Sequence, residues 1–245
     1  MPLLSVENVT RSFGGILALD KVSLAIEEGE IAGLIGPNGA GKTTAFNVIT
    51  RLYPPEAGSV VFAGEDLLRV PAAQVVRRGI ARTFQNVALF LLMTVLENVL
   101  VGAHSRIGIG RERAARAQAL ETLDYLGLAD LAGRPAAGLP FVTLKRIEIA
   151  RALASHPRLL LLDEPAGGLD HEEVGELEQL VRRIREDYSL TVLLVEHHMN
   201  LVMSISDRVH VLNFGRKIAG GTPAEVRANP AVIEAYLGTD ADAAA

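Results

Sequence analysis

Cysteine is absent from all 245 residues. That excludes disulfides, thiolate metal sites and cysteine nucleophiles together, and it fits a reducing compartment. An excess of positive charge is also missing: Lys and Arg number 24 against 29 for Asp and Glu, a formal charge of −5. Chains that grip nucleic acid usually carry a basic balance, so no nucleic-acid partner is expected. Long apolar runs are lacking too. The longest, Val87 to Val95, is broken only by Thr94 and falls far short of the ~20 residues that cross a bilayer. The opening, MPLLSVENVT, has none of the charged, apolar and cleavage regions of a secretory leader. These absences predict a cytosolic globular chain that reaches a membrane only through a partner. What remains is 49% apolar and 22% charged, the balance of a folded domain, which excludes wholesale disorder.

The first segments read as strands, LLSVENVT and RSFGGILALDKVSLAI, with Gly14–Gly15 as a hairpin signal. IAGLIG (31–36) is a short buried strand that runs into a glycine-rich loop, residues 42–51 are helical, and SVVFAG (59–64) returns as a strand. From Thr94 to Ala154 apolar residues recur at spacings of three and four, the helical period. LLLLD (159–163) and TVLLV (191–195) restore the strand pattern on either side of the helical EEVGELEQLVRRIRE. Near-continuous apolar strands alternating with helices predict a mostly parallel sheet covered on both faces. The expected organisation is one domain over 4–237, with a core of 4–85 and 157–237, a helical insertion at 86–156, and a frayed tail at 238–245.

Residues 36–44, GPNGAGKTT, match G-x-x-x-x-G-K-[ST] through Gly36, Gly41, Lys42 and Thr43. Glycines let successive N–H groups converge on phosphate oxygens, and the helix that follows adds the positive end of its dipole. Lys42 suits the β- and γ-phosphates, and the Thr43 hydroxyl suits Mg²⁺. Pro37, Asn38, Gly39, Ala40 and Thr44 complete the cradle. Farther on, LLLLDEP ends a buried strand in Asp163 and Glu164, at the sheet edge where α/β proteins bind ligands. Asp163 suits the outer sphere of Mg²⁺, and Glu164 suits polarising a water for attack on the γ-phosphate.

GPNGAGKTT and LLLLDEP, joined through a helical insertion, resemble the ATPase subunits of ATP-binding-cassette (ABC) transporters over essentially the whole chain. The resemblance implies a P-loop NTPase α/β core with a mixed sheet, an antiparallel β subdomain and an inserted helical subdomain. It implies ATP and Mg²⁺ as ligands, a second ATPase subunit and transmembrane permease subunits as partners, and a place on the cytoplasmic face of the membrane. It further implies that Gln85, in ARTFQN, contacts Mg²⁺ and the attacking water, that His197, in TVLLVEHH, contacts the γ-phosphate, that Phe13 stacks on adenine, and that Asp170 lies in a loop touching the opposite subunit. The plainer alternatives are that Phe13 is a core aromatic, Gln85 a surface amide and His197 a capped helix residue. RRGIARTFQN, MTVLENVLVGAH, IEIARALASHPRLLLLDEPAGGLD and VEHHMNLVMSISDRVHVLNFGRKIAGGTPAEV resemble the branched-chain amino-acid importers in particular. A nucleotide-dependent regulatory subunit with little hydrolysis is the alternative, and an ATPase serving another substrate class is a further one.

One departure stands out. The family signature LSGGQ aligns with Leu139, Pro140, Phe141, Val142 and Thr143. In the family its serine hydroxyl and glycine N–H grip the γ-phosphate held by the opposite subunit. Pro140 offers neither a hydroxyl nor an N–H, and Val142 resists positive φ and close backbone approach. Each hydrogen bond to a charged group lost costs about 1.5–3 kcal/mol, roughly ten- to 150-fold in closure affinity. A helix N-terminus behind Thr143 is expected to keep some N–H donors in place. The signature reads equally as variant but functional; between a homodimer and a heterodimer, the departure favours a heterodimer in which a paralogous partner supplies an intact signature. The apolar stretch 87–95 reads equally as a permease docking surface or as local core of the insertion.

Overall fold

The computed structural model describes residues 1–104 and 112–242, with side chains to Tyr236. An N-terminal hairpin, β1 (Leu4–Phe13) and β2 (Ile16–Ile26), turns at the two glycines and pairs antiparallel. Together with β4 (Ala57–Phe62) and β5 (Glu65–Asp66) it forms a four-stranded antiparallel sheet ordered β2-β1-β4-β5. A second sheet has six strands, ordered β10-β9-β3-β8-β7-β6. Its members are β3 (Ile31–Ile35), β6 (Ile80–Arg82), β7 (Leu159–Asp163), β8 (Thr191–Val195), β9 (Arg208–Asn213) and β10 (Arg216–Gly221). All run parallel except β10, which returns antiparallel along the edge. The fold is the expected mixed α/β architecture.

The continuous apolar strands are explained by burial on both faces. Leu160 and Leu162 of β7 face one core, and Leu159 and Leu161 the other. The same alternation splits Val192 and Leu194 of β8 from Leu193 and Val195. One core is closed by α1 (Lys42–Ile49) and the antiparallel sheet, whose Phe46 and Phe62 are fully buried. The other receives α2 (Val95–Ala103), α3 (Glu112–Tyr125), α4 (Phe141–Leu153), α5 (His171–Asp187) and α6 (Met199–Ile205). Helices α2 to α4 lie between β6 and β7 in the chain.

Three expectations need adjustment. Helix α4 starts at Phe141, with Pro140 as its N-cap, ahead of the point expected behind Thr143. Val142 therefore sits in ordinary right-handed helix, and no positive φ is asked of it. After the short α7 (Pro223–Arg227), α8 (Pro230–Asp242) takes in residues 238–242 of the expected tail, whose backbone is helical there. Residues 243–245 lie outside the described residues, as does Arg111 at the start of the helical stretch read into α3.

His210 on β9 is 3% exposed, and burial together with Lys217 and Arg208 pushes its pKa down to about 4. The unfolded chain takes up this proton near the ordinary value of 6.5, whereas the folded chain refuses it until about pH 4. Stability is therefore expected to fall as pH drops through that window, by up to about 1.4 kcal/mol per pH unit. Urea unfolding at pH 7, 6 and 5 checks this: His210→Leu should flatten the difference relative to the parent chain.

Candidate nucleotide site

The phosphate loop leaves the end of β3 at Gly36 and enters α1 at Lys42. Gly41, at φ 100°, is the helix N-cap, and a Cβ there would lie 2.5 Å from the Ala18 carbonyl oxygen. At Gly36, φ 152°, a Cβ would collide with the Leu212 carbonyl. No other residue type fits either position. The first helical bond runs from the Ala45 N–H to the Gly41 carbonyl, leaving the N–H groups of Lys42, Thr43 and Thr44 without intrahelical acceptors. The Lys42 ammonium, 5% exposed as a residue, donates to the Gly36 and Pro37 carbonyls at 2.7 and 2.9 Å. Burial lowers its pKa, against the opposing pull of Glu164 and Asp163.

Strands β6, β7 and β8 deliver the remaining groups to the same edge. Asp163, 2% exposed, binds Arg82 Nη2 through Oδ2 at 2.6 Å, while its Oδ1 is buried with no hydrogen-bond partner. Arg82 also donates to Asn47 Oδ1 at 2.6 Å, which braces α1 against the acidic strand. Glu164 has a left-handed backbone, φ 48°, a conformation costing about 1–3 kcal/mol for a residue with a side chain and kept only where the surroundings over-determine it. They do so here. Its N–H donates to the Val195 carbonyl at 2.9 Å, and its carbonyl accepts from Gly167 N–H at 3.2 Å and Lys145 Nζ at 3.3 Å. Its carboxylate accepts from Gln85 Nε2 and His197 Nε2, both at 2.6 Å.

Thus Lys42, Gln85, Asp163, Glu164 and His197 converge on one sheet edge from four separate chain segments. Mg²⁺-nucleotide fits this arrangement: free helical amides and a buried cation face the phosphates, and Asp163 keeps one buried carboxylate oxygen unpaired. Phe13 is 38% exposed, so it is not a core aromatic. It meets Tyr53 edge-on at 5.1 Å and carries the Arg11 guanidinium 4.6 Å from its centroid. Asp170 caps α5, accepting from the Glu173 N–H at 2.9 Å while Glu173 accepts from the Asp170 N–H.

Several groups here escaped the sequence reading. Arg82 is one. Glu196, 1% exposed, accepts from the amides of Ala166, His197 and His198 at 2.6, 2.9 and 3.3 Å. Tyr236 of α8 lies in hydrogen-bonding reach of the Gly36 backbone, with its pKa pushed up to about 12 by burial. The signal available for Arg82 and Glu196 was a charge at the end of an apolar strand; for Tyr236 there was none.

This loop, acidic strand and helical insertion place the chain in a known class. Residues 19–167 match the ABC transporter family, and the chain belongs to it. Residues 216–242 match the branched-chain amino acid ATP-binding cassette transporter family. The chain is 45% identical to the high-affinity branched-chain amino acid transport ATP-binding protein LivG of Salmonella typhimurium, over 97% of this chain and 98% of that one. It is 43% identical to the corresponding protein BraF of Pseudomonas aeruginosa at the same coverage. Among solved structures, the ADP conformation of MJ1267, an ATP-binding cassette of an ABC transporter, superposes with a TM-score of 0.88 at 32% identity, covering 97% of this chain and 99% of that one. No helix among the described residues is long and apolar enough to cross a membrane.

Removing Arg82 would leave the buried Asp163 carboxylate without its hydrogen-bonded ion-pair partner. Arg82→Leu is expected to destabilise the fold by about 3–5 kcal/mol, read as a lowered urea midpoint at unchanged denaturant slope.

Proposed function

We propose that this chain is the ATP-hydrolysing motor subunit of a transporter that imports branched-chain amino acids. The observation that carries the hydrolytic part is the contact of Glu164 with both Gln85 and His197, opposite the Lys42 loop. The substrate class rests on the match of residues 216–242 and on the transport function for which LivG and BraF are named.

In this reading the phosphates of ATP lie on the amides of Gly39 to Thr44, and Lys42 exchanges two loop carbonyls for phosphate oxygens. Thr43 and Gln85 would hold Mg²⁺ directly, and Asp163 would hold it through a water. When bound, the ion neutralises charge between the β- and γ-phosphates. Glu164 orients water in line with the scissile bond, His197 and Lys42 stabilise the charge spreading over the γ-phosphoryl oxygens, and Phe13 stacks on adenine.

A second ATPase subunit covers the γ-phosphate. On this chain the residues offered to its neighbour's nucleotide are Leu139 to Thr143, where α4 presents the N–H groups of Phe141, Val142 and Thr143 but no serine hydroxyl. A heterodimer with an intact partner signature follows from that loss. The segment 87–95 supports permease docking at the cytoplasmic face of the inner membrane. Phe90, Leu91 and Leu92 are 52%, 50% and 94% exposed, and Phe84, Ala88, Phe90, Val101 and Arg151 line an adjoining groove of about 580 Å³.

Glu164→Gln is expected to keep ATP affinity within about threefold and to lower single-turnover hydrolysis by at least 100-fold, a general-base contribution; retained hydrolysis would mean that another base acts. Single-turnover rates for the subunit alone and with its partner test the asymmetric pair, and equal rates remove the need for it. Because the chain lacks cysteine, Leu91→Cys gives a unique thiol. It should crosslink to a permease subunit in the assembled complex, and absence of any adduct would count against docking at this segment.

A further inference from the structure

Helix α4 carries three charged side chains on the face opposite to solvent. Lys145 is 6% exposed and Glu148 1%. The Lys145 ammonium donates to the Gln85 carbonyl at 3.2 Å and to the Glu164 carbonyl at 3.3 Å. Glu148 accepts from the Phe84 and Ala88 amides at 3.2 and 3.4 Å. Arg151 donates to the Ala88 carbonyl at 2.5 Å and to Glu148 at 3.3 Å. The loop that bears Gln85 is therefore held to α4 on both sides of that residue, and Lys145 alone also reaches the loop that bears Glu164.

Burying an ammonium is costly unless hydrogen bonds and opposite charge offset it. Here desolvation lowers the Lys145 pKa, while Glu148, Glu196, Glu164 and Asp163 oppose the shift. The hydrolytic scheme gives Lys145 no task, and packing alone would be served by an apolar side chain. What its two bonds do is geometric. Glu164 is one of the eight residues other than glycine described with positive φ, and the Lys145 bond is one of two that its carbonyl accepts. Fixing that carbonyl and the Gln85 carbonyl from one nitrogen sets the separation of the two backbones whose side chains meet at 2.6 Å.

We propose that Lys145 is a positioning residue of the hydrolytic site, holding the backbones of Gln85 and Glu164 in register from α4. It lies two residues beyond Thr143, on the helix that begins at Phe141 within the Leu139–Thr143 segment. A push on that segment by the opposite subunit is thereby transmitted to this chain's own glutamate. The inference rests on the reading of Glu164 as the residue that orients water.

The test measures MgATP hydrolysis by the full chain with its partner ATPase and permease, beside the affinity for a fluorescent ATP analogue. Lys145→Met keeps the length and removes the donors. It is expected to lower kcat by on the order of 10- to 100-fold, as small misplacements of reacting groups do, while KM and nucleotide affinity move less than about threefold. Lys145→Arg, which can still donate to both carbonyls, should recover most of the loss. Lys145→Gln reaches at most one carbonyl and should fall between Met and the parent; it carries the test if the Met chain does not fold. A kcat for Met or Gln equal to that of the parent overturns the positioning role and leaves the Glu164 assignment standing. Parallel loss of kcat, nucleotide affinity and thermal stability in all three variants also overturns it, since it marks Lys145 as a support of the fold alone. Full turnover by Glu164→Gln removes the reading beneath it, and the role of Lys145 with it.

Discussion

Burial of the parallel strands on both faces is the constraint from which the site follows. In β7 and β8 every residue from 159 to 163 and from 191 to 195 is sealed, so a charge is affordable only where a strand ends. Asp163, Glu164, Glu196 and His197 stand at those ends, side by side, because β7 and β8 pair in parallel with Asp163 opposite Val195. The phosphate loop leaves β3, the next strand over, at the same edge. Gathering the chemistry is thus a by-product of parallel pairing: every carboxyl end points the same way.

Crowding acids into that edge creates a second requirement, because buried carboxylates need cations and donors. Arg82 answers Asp163, and Lys145 and Lys42 stand near both acids. Glu196 works in the other direction: it takes up three amides that the turns after β7 and β8 would otherwise leave bare. The result is a polar layer in which each loop is fastened to another, with α4 as the common strut.

Local motifs were legible in the chain; long-range partnerships were not. GPNGAGKTT could be read because strand, loop and helix are contiguous, and the Gly14–Gly15 hairpin for the same reason. LLLLDEP announced its carboxylates by the contrast of four leucines with two acids. Arg82 and Lys145 sit inside sequences that read equally well as ordinary amphipathic elements, and their partners lie 60 or more residues away in the chain for Gln85 and Asp163. The start of α4 was misplaced because Pro140 serves as its N-cap without a side-chain hydrogen bond, so the usual capping residue is absent. Asp170 was read through the family loop, although D-x-x-E also spells the capping box that the fold contains.

The two oxygens of the Glu164 carboxylate are each taken at 2.6 Å, one by an amide and one by an imidazole. Each oxygen keeps a second acceptor site, so the clamp fixes the direction of the carboxylate without exhausting it. Under the proposed hydrolytic reading, a base held by two neighbours from two different loops is aimed in advance, so its direction is set by the fold and not by the water it meets.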